Sequence, residues 1–318
     1  MDTLSSMRVF VRVVELGGFN AAARACAMSA AMVAKHVGHL EARTGARLLD
    51  RTTRSVRPTP EGQLYLDKVI AILEAVDEAE GTVGAENRES RGTLRVTAPV
   101  ELGQDHLAPL LVDFMSRHPG IAVVADLTNR PVDLVQEGFD MAIRVAPSLD
   151  TALIGRKLAT THFRVVASAD FLARHGVPDT PEMLSALPAL TFSQPAPRLD
   201  WSWRRREMHG KVRMTARLAS TSADTLRKAA VAGLGVSWLP SFVCGKDIEA
   251  GLLVPILEDC DWGSLGVHVL YPHRRFVPSR LRLFIDFLAE SLGDDPSGDP
   301  WAPRAEDRRV MRAVVRSA

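Results

Sequence analysis

Arg51, Arg54 and Arg57 fall within seven residues, and Lys35 stands upstream of them in a run of small and apolar residues, Ala30-Ala31-Met32-Val33-Ala34-Lys35. The chemistry such cations supply is not bond-making. Guanidinium and ammonium groups pair with phosphate oxygens, and from the outward face of a helix they can also reach base edges. Their distribution is uneven. Residues 1–62 hold nine Lys/Arg against five Asp/Glu, a net of +4, whereas the whole chain is +1, so the remainder carries −3. A nearly neutral chain with its positive charge gathered at one end has the electrostatic footprint of a duplex binder. A solvated charged face is the plainer alternative, but it leaves unexplained why the asymmetry coincides with the helical signals described below.

Other candidate chemistry is thin. His36 and His39 are three residues apart, a spacing that can hold a metal on a helix, but no third ligand lies nearby in the sequence. His106, His118, His162, His175 and His273 are scattered, and no nucleophile–base spacing is present, so neither a catalytic residue, a metal nor a cofactor is expected. Gly233-Leu234-Gly235 lacks the third glycine of a dinucleotide fingerprint and reads better as a helix stop before the strand Val236-Ser237-Trp238. Cys26, Cys244 and Cys260 are far apart and read as reduced thiols of a cytoplasmic protein. No apolar run reaches the ~20 residues of a membrane span, and Met1-Asp2-Thr3-Leu4-Ser5 does not open a secretory signal.

The cations need rigid elements to position them. Leu4, Met7, Val11 and Val14 recur at helical spacing from about Thr3 to Leu16, and Gly17-Gly18 ends that helix. Asn20 and Ser29 are good N-caps for two further short helices, with Phe19 placed as a hydrophobic staple before the first. The alanines between them let the helices cross closely, and a tight helix pair of this kind sets its second member in a major groove. That second helix is predicted over Ala30–Arg43, with Met32, Val33, Val37 and Leu40 inward and Ala30, Ala31, Ala34, Lys35 and His39 outward. An ordinary helical hairpin is the bland alternative. After Thr44-Gly45 the arginine-bearing stretch to Pro58 suits a small β-hairpin wing. The DNA-facing set is therefore Asn20, Ser29, Ala30, Ala31, Ala34, Lys35, His39, Arg51, Thr52 and Arg54.

A longer helix begins at Thr59-Pro60-Glu61, where a cap, a proline at the first helical position and an acid near the positive dipole end coincide. Along it Leu66, Val69, Leu73, Val76 and Val83 follow an a/d rhythm that wants a second helix. A two-helix coil between copies is the favoured reading, and packing against the chain's own C-terminal domain is the competing one. Residues 84–92 read as a polar hinge. From Thr93 strands alternate with helices, as in an α/β domain with parallel pairing. Predicted strands lie at Leu94–Val96, Ile121–Leu127, Met141–Arg144, Phe163–Ala167 and Leu265–Tyr271. Predicted helices run through Leu107–Phe114, over Asp133–Gly138 and from Arg280 to Ser291.

These residues resemble the LysR-type transcriptional regulators. The likeness begins at Phe10-Val11-Arg12-Val13-Val14-Glu15-Leu16-Gly17-Gly18-Phe19 and passes through Arg51-Thr52-Thr53-Arg54, Thr59-Pro60-Glu61-Gly62 and Gly92-Thr93-Leu94-Arg95-Val96-Thr97-Ala98-Pro99. It extends to about Leu292. Ala30 and Ala34 depart from it, standing where the family usually has Gln and Ser that touch DNA. The resemblance implies an all-α winged helix-turn-helix head over 1–59, then a linker and dimerisation helix with its hinge over 60–92. It further implies a two-lobed α/β effector domain over 93–292, like periplasmic solute-binding proteins, with a small-molecule cleft between the lobes. Lobe I would take about 93–161 and 266–292, and lobe II about 162–265. Residues 293–318, rich in Pro, Gly and Ser, read as a disordered tail in which 306–316 could form a loose basic helix. Implied partners are double-stranded DNA, a small-molecule effector, further copies in a homodimer or homotetramer, and RNA polymerase.

In open α/β sheets ligands settle beyond the carboxyl ends of strands, where loops and helix N-termini offer N–H donors. That places Thr97, Ala98, Pro99, Val100, Glu101, Thr128, Asn129, Arg144, Ser220 and Ser222 at the effector site, with Arg130 or Arg144 suited to a carboxylate. Glu101 is anomalous in such a loop, since it would repel an anion. It either points away, or the effector carries an amine or no charge. The rival from another class is a solute-binding or enzymatic α/β protein with an N-terminal helical assembly module.

Overall fold

The structure is a computed structural model that describes residues 1–51, 56–83, 90–148, 153–193, 196–197, 199–272, 277–293 and 295–302. The chain divides into two units, residues 1–92 with 276–279, and residues 93–275 with 280–318.

The first unit opens with α1 (Thr3–Glu15), capped by the Asp2 carboxylate, which accepts from the Ser5 N–H at 2.8 Å. Helix α2 (Phe19–Ala25) starts one residue earlier than the expected Asn20 cap. Gly18 holds the cap position without a side-chain bond, and Asn20 lies exposed in the first turn. Phe19 packs against the head core, so its burial draws the first turn back and displaces the expected staple. Helix α3 (Ala30–Thr44) begins as expected: Ser29 Oγ accepts from Met32 N–H at 3.2 Å, and Gly45 ends it in the left-handed region at φ 69°. Its buried face is Val33, His36, Val37 and Leu40. Met32, expected inward, is 44% exposed, because His36 takes the inward position instead and bonds Ser6 Oγ at 2.9 Å.

Strands β1 (Leu49–Arg51) and β2 (Val56–Pro58) pair antiparallel as the wing, in register Leu49–Pro58 to Arg51–Val56. The wing tip, with Thr52 and Arg54, lies outside the described residues. Glu41 fastens the wing's base by accepting from Leu48 N–H at 3.0 Å. Helix α4 (Pro60–Val83) starts where Thr59 Oγ1 accepts from Gly62 N–H at 2.9 Å and donates to Arg47 O at 2.7 Å. Gly62 has no room for a side chain, since a Cβ there would lie 1.9 Å from Leu48 O. Leu66 belongs to the head core, and Val69 and Leu73 are also buried, with α1 packed on α4. The start of the apolar stripe is thus covered by this one chain, an arrangement neither sequence reading anticipated. Of the expected hinge over 84–92, residues 84–89 lie outside the described residues and Gly92 already opens the next strand.

In the second unit β3 (Gly92–Ala98) leads into a continuous helical run, α5 (Val100–Leu102), a π-helical turn (Gly103–Leu107) and α6 (Ala108–Arg117). There follow β4 (Ile121–Leu127), β5 (Met141–Ala146) and β6 (Ile154–Ala167). Between β4 and β5 the expected helix over Asp133–Gly138 is only a turn. The chain continues through α7 (Ala169–His175), a 3₁₀ turn (Pro181–Ala186), β7 (Pro188–Phe192), β8 (Asp200–Arg205), β9 (Met208–Arg213) and β10 (Thr215–Ser220). It ends with α8 (Ala223–Val231), β11 (Val236–Pro240), α9 (Ser241–Glu249), β12 (Val254–Ile256), β13 (Ser264–Tyr271) and α10 (Ser279–Ser291).

The main sheet runs β10-β7-β11-β6-β13-β5-β3-β4, with β12 also on β6, and β8 and β9 form a separate hairpin. Pairing is mixed rather than wholly parallel. β3–β5, β7–β10 and β7–β11 are parallel, whereas β6 is antiparallel to β11, β12 and β13, and β13 to β5. The reason is topological: β6 leaves the first lobe and β13 returns to it, so the two crossing strands run in opposite directions. Ile154 to His162 pair with β13, and Phe163 to Val166 pair with β11, so one strand serves both lobes.

The tail differs from expectation. Residues 295–302 are a docked strap, not a disordered end. Asp299, its side chain 7% exposed, accepts from His162 N–H (3.1 Å), Ser241 Oγ (2.8 Å) and Trp301 N–H (3.2 Å). Thr160 donates through its N–H to Gly298 O at 2.9 Å and through Oγ1 to Pro296 O at 2.8 Å. The Trp301 ring packs on His106 and Phe242, with centroids 5.5 and 5.9 Å away. Gly245 lets the strap lie on α9, since a Cβ there would come within 2.4 Å of Trp301 O. Composition read this segment as tail, but one buried carboxylate and one indole anchor it. The expected helix over 306–316 lies outside the described residues.

Asp299→Ala leaves three donors without their acceptor. It should cost about 2–3 kcal/mol and lower the melting temperature of the second unit by roughly 5–10 °C. Calorimetric scans of wild type and variant provide the check, and a shift under about 2 °C would mean the strap is not a structural tie.

Candidate functional site

Two regions hold the expected residues, one in each unit. On the outward side of α3, Ala31 and Lys35 are exposed, while Ala30, Ala34 and His39 are half-buried. Met28 and Met32 join this face, apolar neighbours that the sequence reading left out. Counting His36 as inward would have exposed the correct helical phase. Ser29 is exposed, with its hydroxyl already committed to the cap, and Asn20 is exposed on α2. Arg51 lies on β1, and Arg24, Arg43, Arg47 and Arg57 are exposed cations of this unit. The face therefore combines alanines, two exposed methionines and cations, and its cations suit approach to a phosphate backbone.

His36 anchors the opposite side of α3. Burial, and secondarily the charge of His39, hold its imidazole below the ordinary histidine pKa of 6.5. It shares its Nδ1 hydrogen bond with Ser6 and points away from the exposed face. Among the described residues no group of three or more His, Cys, Asp or Glu could hold a metal. The thiols are free, and burial pushes Cys244 up to about 12, which leaves it inert.

The second unit contains a cleft of about 290 Å³. Of the ten residues expected there, Pro99, Glu101, Thr128, Asn129 and Arg144 line it. The other five do not. Thr97 and Ala98 are sealed in β3, and Val100 donates its N–H to Asn129 Oδ1 at 3.1 Å. Ser220 Oγ accepts from Ser222 N–H at 3.1 Å within a turn, and Ser222 Oγ caps α8 by accepting from Thr225 N–H at 3.2 Å. Local capping and turn roles account for these serines.

Sequence reasoning missed the aromatic wall. Phe163, Phe192, Trp201, Trp238 and Phe242 line the cleft together with Leu239, Pro240 and Leu265. Phe163 and Trp238 stack at 4.5 Å between centroids, and Trp201 lies 6.1 Å from Trp238. These residues come from β6, β7, β8, β11 and the start of α9, not from the loops of the first lobe. The available signal was the inward phase of Trp201 in the alternating strand Trp201-Ser202-Trp203.

The charged residues of the cleft differ in how they are satisfied. Glu101 is buried: Oε1 accepts from Ala223 N–H at 2.9 Å and Oε2 from Asn129 Nδ2 at 3.3 Å. Its carboxylate thus sits on the N-terminus of α8, whose partial positive charge offsets it, and bridges one lobe to the other. Arg130 is bound through both Nη atoms to Glu137, one contact being 2.9 Å. Arg144 donates Nη1 only to its own neighbour, Ile143 O, at 2.8 Å, and its Nη2 is enclosed without an acceptor. Burial, then the Arg130 charge, pulls its guanidinium below the ordinary arginine range.

The His36 environment sets a pH dependence for the first unit. A folded-state pKa below 6.5 means that the unfolded chain takes up the proton first as pH falls. The His36 contribution is then complete above about pH 6.5 and is lost progressively below it. Hydrogen exchange of α1 and α3 amides, corrected for intrinsic rates, should show less protection at pH 5.5 than at 7.5, and His36→Gln should flatten the difference. Equal protection at both pH values in the wild type would contradict the assignment.

Comparison with known proteins adds a separate line of observation. Residues 4–63 match the family described as "Bacterial regulatory helix-turn-helix protein, lysR family", and residues 87–293 match "LysR substrate binding domain". The HTH-type transcriptional regulator CrgA of Neisseria meningitidis serogroup C is 33% identical over 294 residues, covering 92% of this chain and 98% of its own. An uncharacterized HTH-type transcriptional regulator of Haemophilus influenzae is 33% identical over 281 residues, covering 88% and 98%. Among solved structures, CrgA from Neisseria meningitidis is similar with a TM-score of 0.60 at 32% identity, over 91% of this chain and 98% of that one. The full-length Vibrio cholerae virulence activator AphB is similar with a TM-score of 0.57 at 27% identity, over 91% and 99%.

Proposed function

The chain belongs to the LysR family of transcriptional regulators, and from that premise we propose that it binds operator DNA through the first unit under the control of a small molecule held in the cleft of the second. The chain is a regulator and not an enzyme, which sets aside the solute-binding and enzymatic rival. The observation that carries the DNA reading is the coincidence of a capped recognition helix presenting Lys35, a paired β1–β2 wing, and a net charge of +4 over residues 1–62.

In this reading residues 1–59 are the DNA-binding head, 60–92 the linker and dimerisation helix, and 93–292 the effector domain. The DNA-contacting set is Asn20, Ser29, Ala30, Ala31, Ala34, Lys35 and His39, with Arg51, Thr52 and Arg54 from the wing. Homodimers or homotetramers formed through α4 present paired heads to two half-sites about one duplex turn apart. No described helix is long and apolar enough to cross a membrane, and the protein works in the cytoplasm beside RNA polymerase. Regulation is a coupling free energy: an effector preferring one assembly geometry shifts the population toward it, and operator binding shifts effector affinity by the same factor.

Charge reversal at Arg51 and Arg54 together should weaken operator binding roughly a hundredfold or more, because each charge-assisted contact is worth about 1.5–3 kcal/mol. The double variant should keep wild-type melting behaviour and show a shallower fall of log affinity with log salt. Unaltered retardation of operator fragments by the double variant would refute the wing assignment.

A further inference from the structure

We propose that the cleft selects a compact aromatic carboxylate, its ring against the Phe163–Trp238 wall and its carboxylate paired with Arg144; this rests on the reading of the cleft as the effector site. Size sets the first limit. The cleft's volume of about 290 Å³ is roughly twice the ~150 Å³ cavity that accepts benzene. One substituted ring or a fused bicycle fits that space.

Shape and surface set the second. Phe163 and Trp238 are half-buried and lie 4.5 Å apart between centroids at 37°, backed by the fully buried Trp201 at 6.1 Å from Trp238, so these two rings present faces and edges to a flat apolar guest. A flexible aliphatic chain would make poorer use of those faces and lose more freedom on binding.

Charge sets the third. Among the described residues three ionisable side chains line the cleft, Glu101, Arg130 and Arg144. Glu101 is spent on the N-terminus of α8 and on Asn129, and Arg130 on Glu137. Asp126 and Glu137 act on the charge of Arg144, but neither is paired with it. Its Nη1 has only a neutral carbonyl, and its Nη2 has no acceptor. Among the described residues the unmet charge of the cleft is therefore positive. A carboxylate delivered there can draw the guanidinium round and engage its planar fork, a fit that an ammonium or a lone hydroxyl cannot make. Glu101 does not repel such an anion strongly, because the α8 dipole and two donors already offset its charge.

The test uses the full chain and calorimetric titration with benzoate, phenylacetate and indole-3-acetate. Benzamide and indole-3-acetamide serve as neutral counterparts, phenethylamine as the cation, phenyl phosphate as the alternative anion and butyrate as the aliphatic acid. At least one aromatic acid should bind ten-fold or more tightly than its amide and than butyrate. Arg144→Gln should erase that preference by weakening the acid and not the amide, and Arg144→Lys should restore part of it. The acid–amide comparison on wild-type protein stands even where a variant fails to fold. Binding of no aromatic acid, equal binding of acid and amide, tighter binding of phenethylamine or phenyl phosphate, or an Arg144→Gln protein that keeps the preference would each overturn the proposal. Operator retardation is measured in parallel without added ligand. DNA binding retained while the acids fail sinks only the ligand assignment, whereas loss of DNA binding by wild type sinks the regulatory reading itself.

Discussion

One strand constrains the whole second unit. Residues of β6 exchange backbone hydrogen bonds with β13 as far as His162 and with β11 from Phe163 onward, so both lobes are built on a single run of 14 residues. Buried backbone groups must be paired, and breaking that ladder at its centre would strand N–H and C=O groups in the interior. Phe163 and Leu265 stand where the crossing strands meet and line the cleft, which ties the floor of the binding site to that junction. The strap adds a second tie. Asp299 reaches His162 on β6 and Ser241 on α9, and Trp301 rests on Phe242, itself a cleft residue.

Electrostatics in the cleft follow from where each charge finds its complement. Glu101 looks unfavourable in one dimension, because nothing near it in sequence neutralises it. In the fold its partner is the N-terminus of α8, more than a hundred residues away, and the carboxylate becomes a bridge between lobes. Arg130 likewise closes on Glu137 across the turn that replaces the expected helix. Among the described cleft residues what remains is Arg144, held there with an unused donor.

The first unit shows the same division between local and distant causes. Ser29, Gly45 and Thr59 act through neighbours within a few residues, and the helices begin and end at the positions those residues imply. His36 is different: its role depends on Ser6, thirty positions earlier, and that contact turns α3 so that Met32 faces outward. The outward side of α3 then carries Ala31, Met32 and Lys35 exposed together.

The family resemblance, the three helices of the head, its wing and its cationic charge could be read from the sequence, because periodicity, caps and charge are short-range properties that neighbouring residues settle among themselves. The strand ends that form one wall of the cleft were legible for the same reason, in Pro99, Glu101, Thr128, Asn129 and Arg144. The opposite wall was not: Phe163, Trp201, Trp238 and Phe242 are brought together only by the crossing of β6 and the closure of the second lobe. The same is true of the strap, whose composition resembles a free tail until a buried acid and an indole find their sockets. Local chemistry fixed which elements form, and tertiary pairing alone decided which distant side chains share a surface and which charge is left without a partner.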